Sequence, residues 1–258
     1  MSEWIGPTFD QKNSLYERIF LPSMIDTEKE IDYLINFAQI TQKDRIIDIA
    51  CGTGRHVLAF NRRGFSADGV DISDNSIKKA KTEANSLSGS LHKPKFYVAD
   101  VRNLPTGKPR IKRKYDIATC MFSSFGYYED DSQQTIFLEG IRHVLKFHSL
   151  LLLDLPNKDY ILSNFAEESA YEKDKLEVKV RRKFDSLLSR VETITEISEE
   201  DDREVINIAM NIYTYREITD LLLRSGFSVE KIVSGFDGKS FDVQDSNNKR
   251  MIILARKI

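Results

Sequence analysis

The sequence predicts an α/β protein, a doubly wound parallel sheet with helices on both faces, carrying an inserted three-stranded antiparallel meander. Three observations lead there. Between residues 27 and 155, five short β-branched, apolar segments alternate with stretches of helical periodicity. Strands joined by helices make right-handed crossovers, and hence a parallel sheet covered on both sides. The first segment runs straight into a glycine-rich loop, Gly52-Thr53-Gly54, and then into a helical face. Beyond about residue 165 the rhythm changes to period-two alternation, the pattern of half-buried antiparallel strands.

Thr27-Glu-Lys-Glu30 has the form of a capping box, and Ile31, Leu34, Ile35 and Ala38 recur behind it at helical spacing, which predicts a helix over 27–40. The run ending at Ala50 is the first strand; Val57, Leu58 and Phe60 open the helix after the glycine loop, and Gly64 stands at its C-cap. Phe65 to Val70 form a second strand ending on Asp71, Ser73 caps a helix over 74–87, and residues 95–100 are a third strand ending at Asp100. A fourth strand covers Tyr115 to Phe122. Residues 133–147 are an amphipathic helix, and Leu150 to Leu155 a fifth strand stopped by Pro156.

Leu176, Val178 and Val180, then Val191 to Ile197, then Ile206 to Ile212 alternate with polar residues, giving a meander over about 174–212 within an insertion spanning 166–212. Thr214-Tyr-Arg-Glu217 is a second capping box, followed by the apolar face Ile218, Leu221, Leu222 and a stop at Gly226. Phe227 to Val233 and Arg250 to Ala255 are the last strands, separated by a loop holding Gly235, Gly238 and Asp245. The main domain is therefore read as residues 1–165 plus 213–258.

With 258 residues, the chain is sized for one large unit with an appendage or for two domains at ~150 residues each. A formal charge of −2 argues against a dedicated nucleic-acid or membrane-surface binder, whose basic excess normally shows in the total. Cys51 and Cys120 cannot form a disulfide framework and are read as buried thiols. The N-terminal residues have no basic stretch followed by an apolar one, and the longest aliphatic run, Leu150 to Leu153, is far below the ~18 residues of a membrane span. These features lead to the expectation of a cytoplasmic protein with no membrane partner.

A glycine-rich loop between a strand and a helix N-terminus lets backbone approach a ligand closely. Val57 stands where a dinucleotide fingerprint would place its third glycine, which weakens the pyrophosphate reading. Asp71 lies 17 positions past Gly54, close to the ~20 expected of a carboxylate that accepts from ribose hydroxyls. A nucleoside ligand is implied.

IIDIACGTG, GVDIS, VADVRNLP and YDIATCMFSSFGYY, in that order over about residues 45–155, resemble successive motifs of class I S-adenosylmethionine (SAM)-dependent methyltransferases. Within that family MFSSFGYY is similar to small-molecule enzymes acting on amino sugars and related metabolites. The resemblance implies a Rossmann-like, seven-stranded sheet with its last strand antiparallel, SAM as cofactor and S-adenosylhomocysteine as product. It also implies site roles. Asp48, Ala50, Gly52 and Gly54 would surround the methionine portion, Asp71 would bind the ribose diol and Ile72 pack on adenine. Asp100 would accept from the adenine amino group, Val101 would donate its N–H, and Met121 and Phe122 would lie near the sulfonium.

Acceptor-side candidates are Tyr127 and Tyr128 after the fourth strand, His56 at the start of the glycine-loop helix, and Tyr16 on a helix that folds over the cofactor in similar enzymes. Each tyrosine reads equally as a ring packed under a loop, and His56 as a group supporting the site from behind. No two His or Cys residues have metal-ligand spacing, and no metal is expected. The expected partner is a small-molecule methyl acceptor, with the insertion serving as a specificity cap or a homodimer contact. Lys108 to Lys114 is the one concentrated basic stretch. It keeps a second reading open, an RNA or protein methyltransferase; a third is a SAM- or nucleoside-binding protein without turnover.

Overall fold

A computed structural model describes residues 8, 9, 15, 19, 20, 27–86, 92–107, 110–112, 114–173, 175–199, 202–242, 245 and 248–258. Helix α1 (Thr27–Phe37) precedes β1 (Arg45–Ile49), α2 (Arg55–Arg62), β2 (Ser66–Asp71), α3 (Asp74–Ala84) and β3 (Phe96–Val98). A 3-10 turn at Val101–Asn103 leads to β4 (Tyr115–Cys120), α4 (Asp131–Val144), β5 (Leu145–Pro156) and α5 (Lys158–Ser163). Four strands follow, β6 (Glu168–Lys173), β7 (Leu176–Asp185), β8 (Arg190–Glu199) and β9 (Asp202–Asn211), then α6 (Tyr215–Arg224), β10 (Phe227–Val233) and β11 (Arg250–Lys257).

The main sheet has seven strands in the order β10-β11-β5-β4-β1-β2-β3, parallel from β5 to β3, with β11 antiparallel to both neighbours. Alternation along β1 explains the two layers. Ile47 and Ile49 face a core closed by Leu138 and Ile141 of α4 and Leu221 and Leu222 of α6. Ile46 faces the opposite core, with Ile31 and Leu34 of α1, Val57 and Phe60 of α2 and Ile77 of α3.

Besides shifted ends of α1, β3, β4 and β5, the structure departs from the sequence reading at four places. The second sheet has four antiparallel strands, not three: β6 pairs with β7 ahead of the expected meander. Its sequence, ESAYEK, is mostly exposed and lacks an apolar alternation to betray it. Helix α4 ends at Val144 rather than Phe147: Leu145 is already extended and opens β5, and Phe147 is 83% exposed. The short α5, capped by Asn157, also went unread. At the first expected capping box, Thr27 is already helical and its hydroxyl accepts from Arg55 Nη1, while the Glu30 carboxylate pairs with Arg55 and His56. The second box, Thr214 with Glu217, forms in both directions.

Gly54 adopts φ +82°, and a Cβ there would meet Phe96 Cε1 at 2.7 Å. Gly54→Ala is therefore expected to cost about 1–3 kcal/mol, from left-handed strain and overpacking together. Urea unfolding checks this, and an unchanged midpoint would contradict it.

Candidate functional site

At the carboxyl ends of β1, β2 and β4 the loops open on a cleft of about 1070 Å³, including its solvent-open mouth. That is enough room for a nucleoside-sized ligand and a small neighbour. Of the residues singled out from sequence, Asp48, Ala50, Gly52, Asp71, Ile72, Asp100, Val101, Met121 and Phe122 line it, together with His56, Tyr127 and Tyr128. Gly54 does not: it packs against Phe96 and Ala80 behind the loop. Tyr16 lies outside the described residues.

At one end the Asp71 carboxylate is held by backbone, Oδ2 accepting from Gly52 N at 2.8 Å and Oδ1 from Ser73 N at 2.8 Å. Burial pushes its pKa up and these two amides pull against the shift, leaving it raised. Asp100 sits across the cleft, gripped by the Arg102 guanidinium and accepting from the Tyr128 hydroxyl at 3.3 Å. Burial works to raise Asp100, but Arg102 outweighs it and holds the carboxyl below the usual range. The Arg102 guanidinium also stacks 4.0 Å over the Tyr128 ring. As first residue of its 3-10 turn, Val101 has an N–H that the turn does not use.

Beneath the glycine loop runs a buried polar chain. Thr119 Oγ1 donates to Asp48 Oδ1 at 2.6 Å, His56 Nδ1 lies 3.8 Å from Asp48 Oδ2, and His56 Nε2 lies 3.0 Å from Glu30 Oε2. Both ring nitrogens of His56 are thus turned to carboxylates on the loop's underside. Burial raises Asp48, opposed by His56 and Thr119. Thr119→Val would leave Asp48 without its one short donor, and is expected to cost about 1.5–3 kcal/mol. Urea titration measures this, and equal stability would rule the bond out as a support.

The other end is formed where β4 stops. Phe122 and Ser123 both adopt left-handed φ, 56° and 58°, and Ala50 at the end of β1 does the same at 55°. Non-glycine residues pay strain for this conformation and need outside support. Asp154 of β5 supplies it, Oδ2 accepting from Phe122 N at 2.8 Å while both oxygens take the Arg250 guanidinium of β11. Arg55 and Arg250 then flank the Phe122 ring, 5.7 and 6.0 Å from its centroid. Phe9 packs on Tyr127 at 5.2 Å and also lines the cleft.

Sequence reasoning missed Phe9, Glu30, Arg55, Arg102, Asp154 and Arg250. A charge inside an apolar run was the available signal for two of them, Asp154 in LLLLDL and Arg250 before MIILA. Cys51 also lines the cleft, but burial, then Asp71 and Asp48, push its thiol well above the ordinary value, so it stays protonated. Among the described residues no His, Cys, Asp or Glu cluster could hold a metal ion, and no helix is long and apolar enough to cross a membrane.

Residues 46–147 match the family described as a methyltransferase domain. Glycine N-methyltransferase of Homo sapiens is 30% identical over 129 residues, covering 46% of this chain and 43% of that protein. The match thus spans less than half the length of such relatives. Among solved structures, an S-adenosylmethionine-dependent methyltransferase from Clostridium acetobutylicum superimposes with a TM-score of 0.80 at 18% identity, covering 96% of this chain and 98% of that one. A SAM-bound amino pentose methyltransferase from Micromonospora echinaspora gives a TM-score of 0.64 at 14% identity, covering 97% and 98%.

Proposed function

We propose that this chain, whose residues 46–147 match a methyltransferase domain, is a SAM-dependent methyltransferase that methylates a small molecule, most simply at an amine nitrogen. The names of glycine N-methyltransferase and of the amino pentose enzyme support the amine.

The cleft fits the cofactor on its own terms. A Cβ on Gly52 would meet nothing within 4 Å, so the backbone there faces open space. Each Asp71 oxygen accepts one backbone N–H, which leaves lone pairs for a diol. Asp71 and Ile72 would hold the ribose side, Asp100 and Val101 the adenine, Asp48, Ala50 and Gly52 the methionine portion, and Met121 and Phe122 the region of the sulfonium. Bound there, the cofactor supplies a methyl group already activated for attack. The protein's task is to hold the acceptor in line with it, and such positioning is worth up to ~7–11 kcal/mol of barrier.

A general base is needed only for an acceptor that arrives protonated. Tyr128 is a poor candidate: burial and the neighbouring Asp100 push its phenol far upward, and it spends its proton on Asp100. Tyr127 and Tyr128 therefore act as walls that orient the acceptor.

The observation that carries the small-molecule reading is the Phe9–Tyr127 contact, which narrows the acceptor end with two rings. The described residues of the basic stretch do not line the cleft. Of these, Arg110, Lys112 and Lys114 precede the first residue of β4 and gather beside His143 at the end of α4. They stand a full strand, about 20 Å, from the cleft end of β4.

Incubation with methyl-labelled SAM and either a cell extract or the probe amines glycine and glucosamine tests the proposal. Label should enter the small-molecule fraction. Label in RNA or protein would overturn it, and SAH binding with no transfer anywhere would favour a binding protein.

A further inference from the structure

The second sheet is joined to the active-site loop by one buried cation. Arg190, the first residue of β8, is 5% exposed. Its Nη1 donates to Tyr128 O at 3.0 Å and to Asn211 Oδ1 at 2.6 Å, and its Nη2 to Tyr127 O at 3.2 Å and Ala209 O at 3.1 Å. Its hydrogen bonds all go to carbonyl oxygens, while Glu129 and Glu192 offset part of the charge at longer range. A guanidinium buried with no directly paired carboxylate is costly, and burial lowers its pKa against the opposing pull of Glu129 and Glu192. Asn211, the last residue of β9, completes the clamp: its N–H donates to Gly126 O at 2.7 Å and its Nδ2 reaches Glu129 O at 3.5 Å.

Four consecutive carbonyls, those of residues 126–129, are thus taken by two residues of the second sheet. The approach is close: Gly126 has φ +104°, and a Cβ on it would lie 2.5 Å from Asn211 O. This is the segment that aims Tyr127 toward Phe9 and Tyr128 toward Asp100.

Resting on the methyltransferase reading, we propose that Arg190, with Asn211, is a positioning residue for the methyl acceptor: the second sheet sets the wall formed by Tyr127 and Tyr128, and so the line of attack, without touching the cofactor. Among the described residues the hydrogen bonds of Gly52 and Asp71 stay within the nucleoside end, and the clamped loop reaches that end through the Tyr128 hydroxyl on Asp100. Acceptor geometry should therefore suffer much more than cofactor affinity.

Wild type, Arg190→Met, Arg190→Lys and Gly126→Ala are compared by SAH calorimetry, amide hydrogen exchange, and methyl transfer to whichever probe amine the wild type labels. In Arg190→Met, SAH affinity should fall no more than about fivefold, the reach of the single Tyr128–Asp100 hydrogen bond, while amides of 122–130 exchange at least about tenfold faster. Turnover should fall about 100-fold, as for a misplacement near 1 Å. Arg190→Lys, keeping the cation but not the fork, should recover part of the loss. Gly126→Ala, which pushes the loop off β9 without removing a polar group, should reproduce the Met pattern, and together with Arg190→Lys it carries the test if Arg190→Met does not fold. Unchanged exchange at 122–130, or SAH affinity falling in step with turnover, would overturn the proposal. A wild type that fails to bind SAH would defeat the cofactor reading instead, while the exchange comparison would still judge the clamp.

Discussion

Replacing Asp71 by Asn should weaken SAH binding at least about tenfold, the loss of more than one hydrogen bond to a charged acceptor. The carboxylate works on two sides. Toward the protein it receives the amides of Gly52 and Ser73; toward the cleft it keeps acceptor sites that the proposal gives to the ribose diol. Asparagine keeps the size but must turn an NH2 either toward one of those two backbone amides, setting donor against donor, or toward the hydroxyls. Asp71→Ala leaves both amides unpaired at the strand end and should lower stability as well, by about 1–3 kcal/mol. Calorimetry separates the two effects, and full SAH affinity in Asp71→Asn would remove the ribose assignment.

The pH dependence has a definite sign. Because the folded-state pKa of Asp71 is raised, the fold favours the protonated form. That contribution to stability is fully present below the unfolded pKa and is lost as pH rises through the folded one. Binding runs the other way: acceptance from the diol needs the carboxylate, so SAH affinity should fall as pH drops through the folded value, which lies above the ordinary carboxylate value.

Arg250→Met should be the most destabilising single substitution near the site, costing about 3–5 kcal/mol. Asp154 is buried and gives both oxygens to Arg250 while also holding Phe122 N. Without the guanidinium a carboxylate is left without its partner between β5 and β11, and the left-handed Phe122–Ser123 turn loses a rigid anchor. The double variant Asp154→Leu with Arg250→Met should be less unstable than Arg250→Met alone, since the unpaired charge goes with it. Urea unfolding of the four members of that cycle measures the coupling. Additive effects would show that the pair is not acting as a unit.

The parts of the molecule that were legible in sequence are those where pattern and chemistry coincide. Strand β1, the glycine loop and Asp71 follow from a β-branched run, two glycines and an acid at fixed spacing, and nine of the ten expected cofactor residues line one cleft. Gly54 shows the limit of such spacing: a glycine required by Phe96 and Ala80 looks the same in sequence as one required by a ligand. Strand β6 was hidden because an exposed edge strand has no apolar face. Arg190 was hidden for a different reason. It reads as an ordinary surface charge at the start of a strand, and its partners are carbonyls some sixty positions earlier, which no side-chain pattern records.

The most direct test of the site is a calorimetric titration of the wild-type protein with SAH, followed by NAD on a fresh sample. One SAH bound per chain, with no heat from NAD, is the expected result. Binding of NAD in place of SAH would contradict the assignment of Gly52, Asp71 and Asp100 to this cofactor.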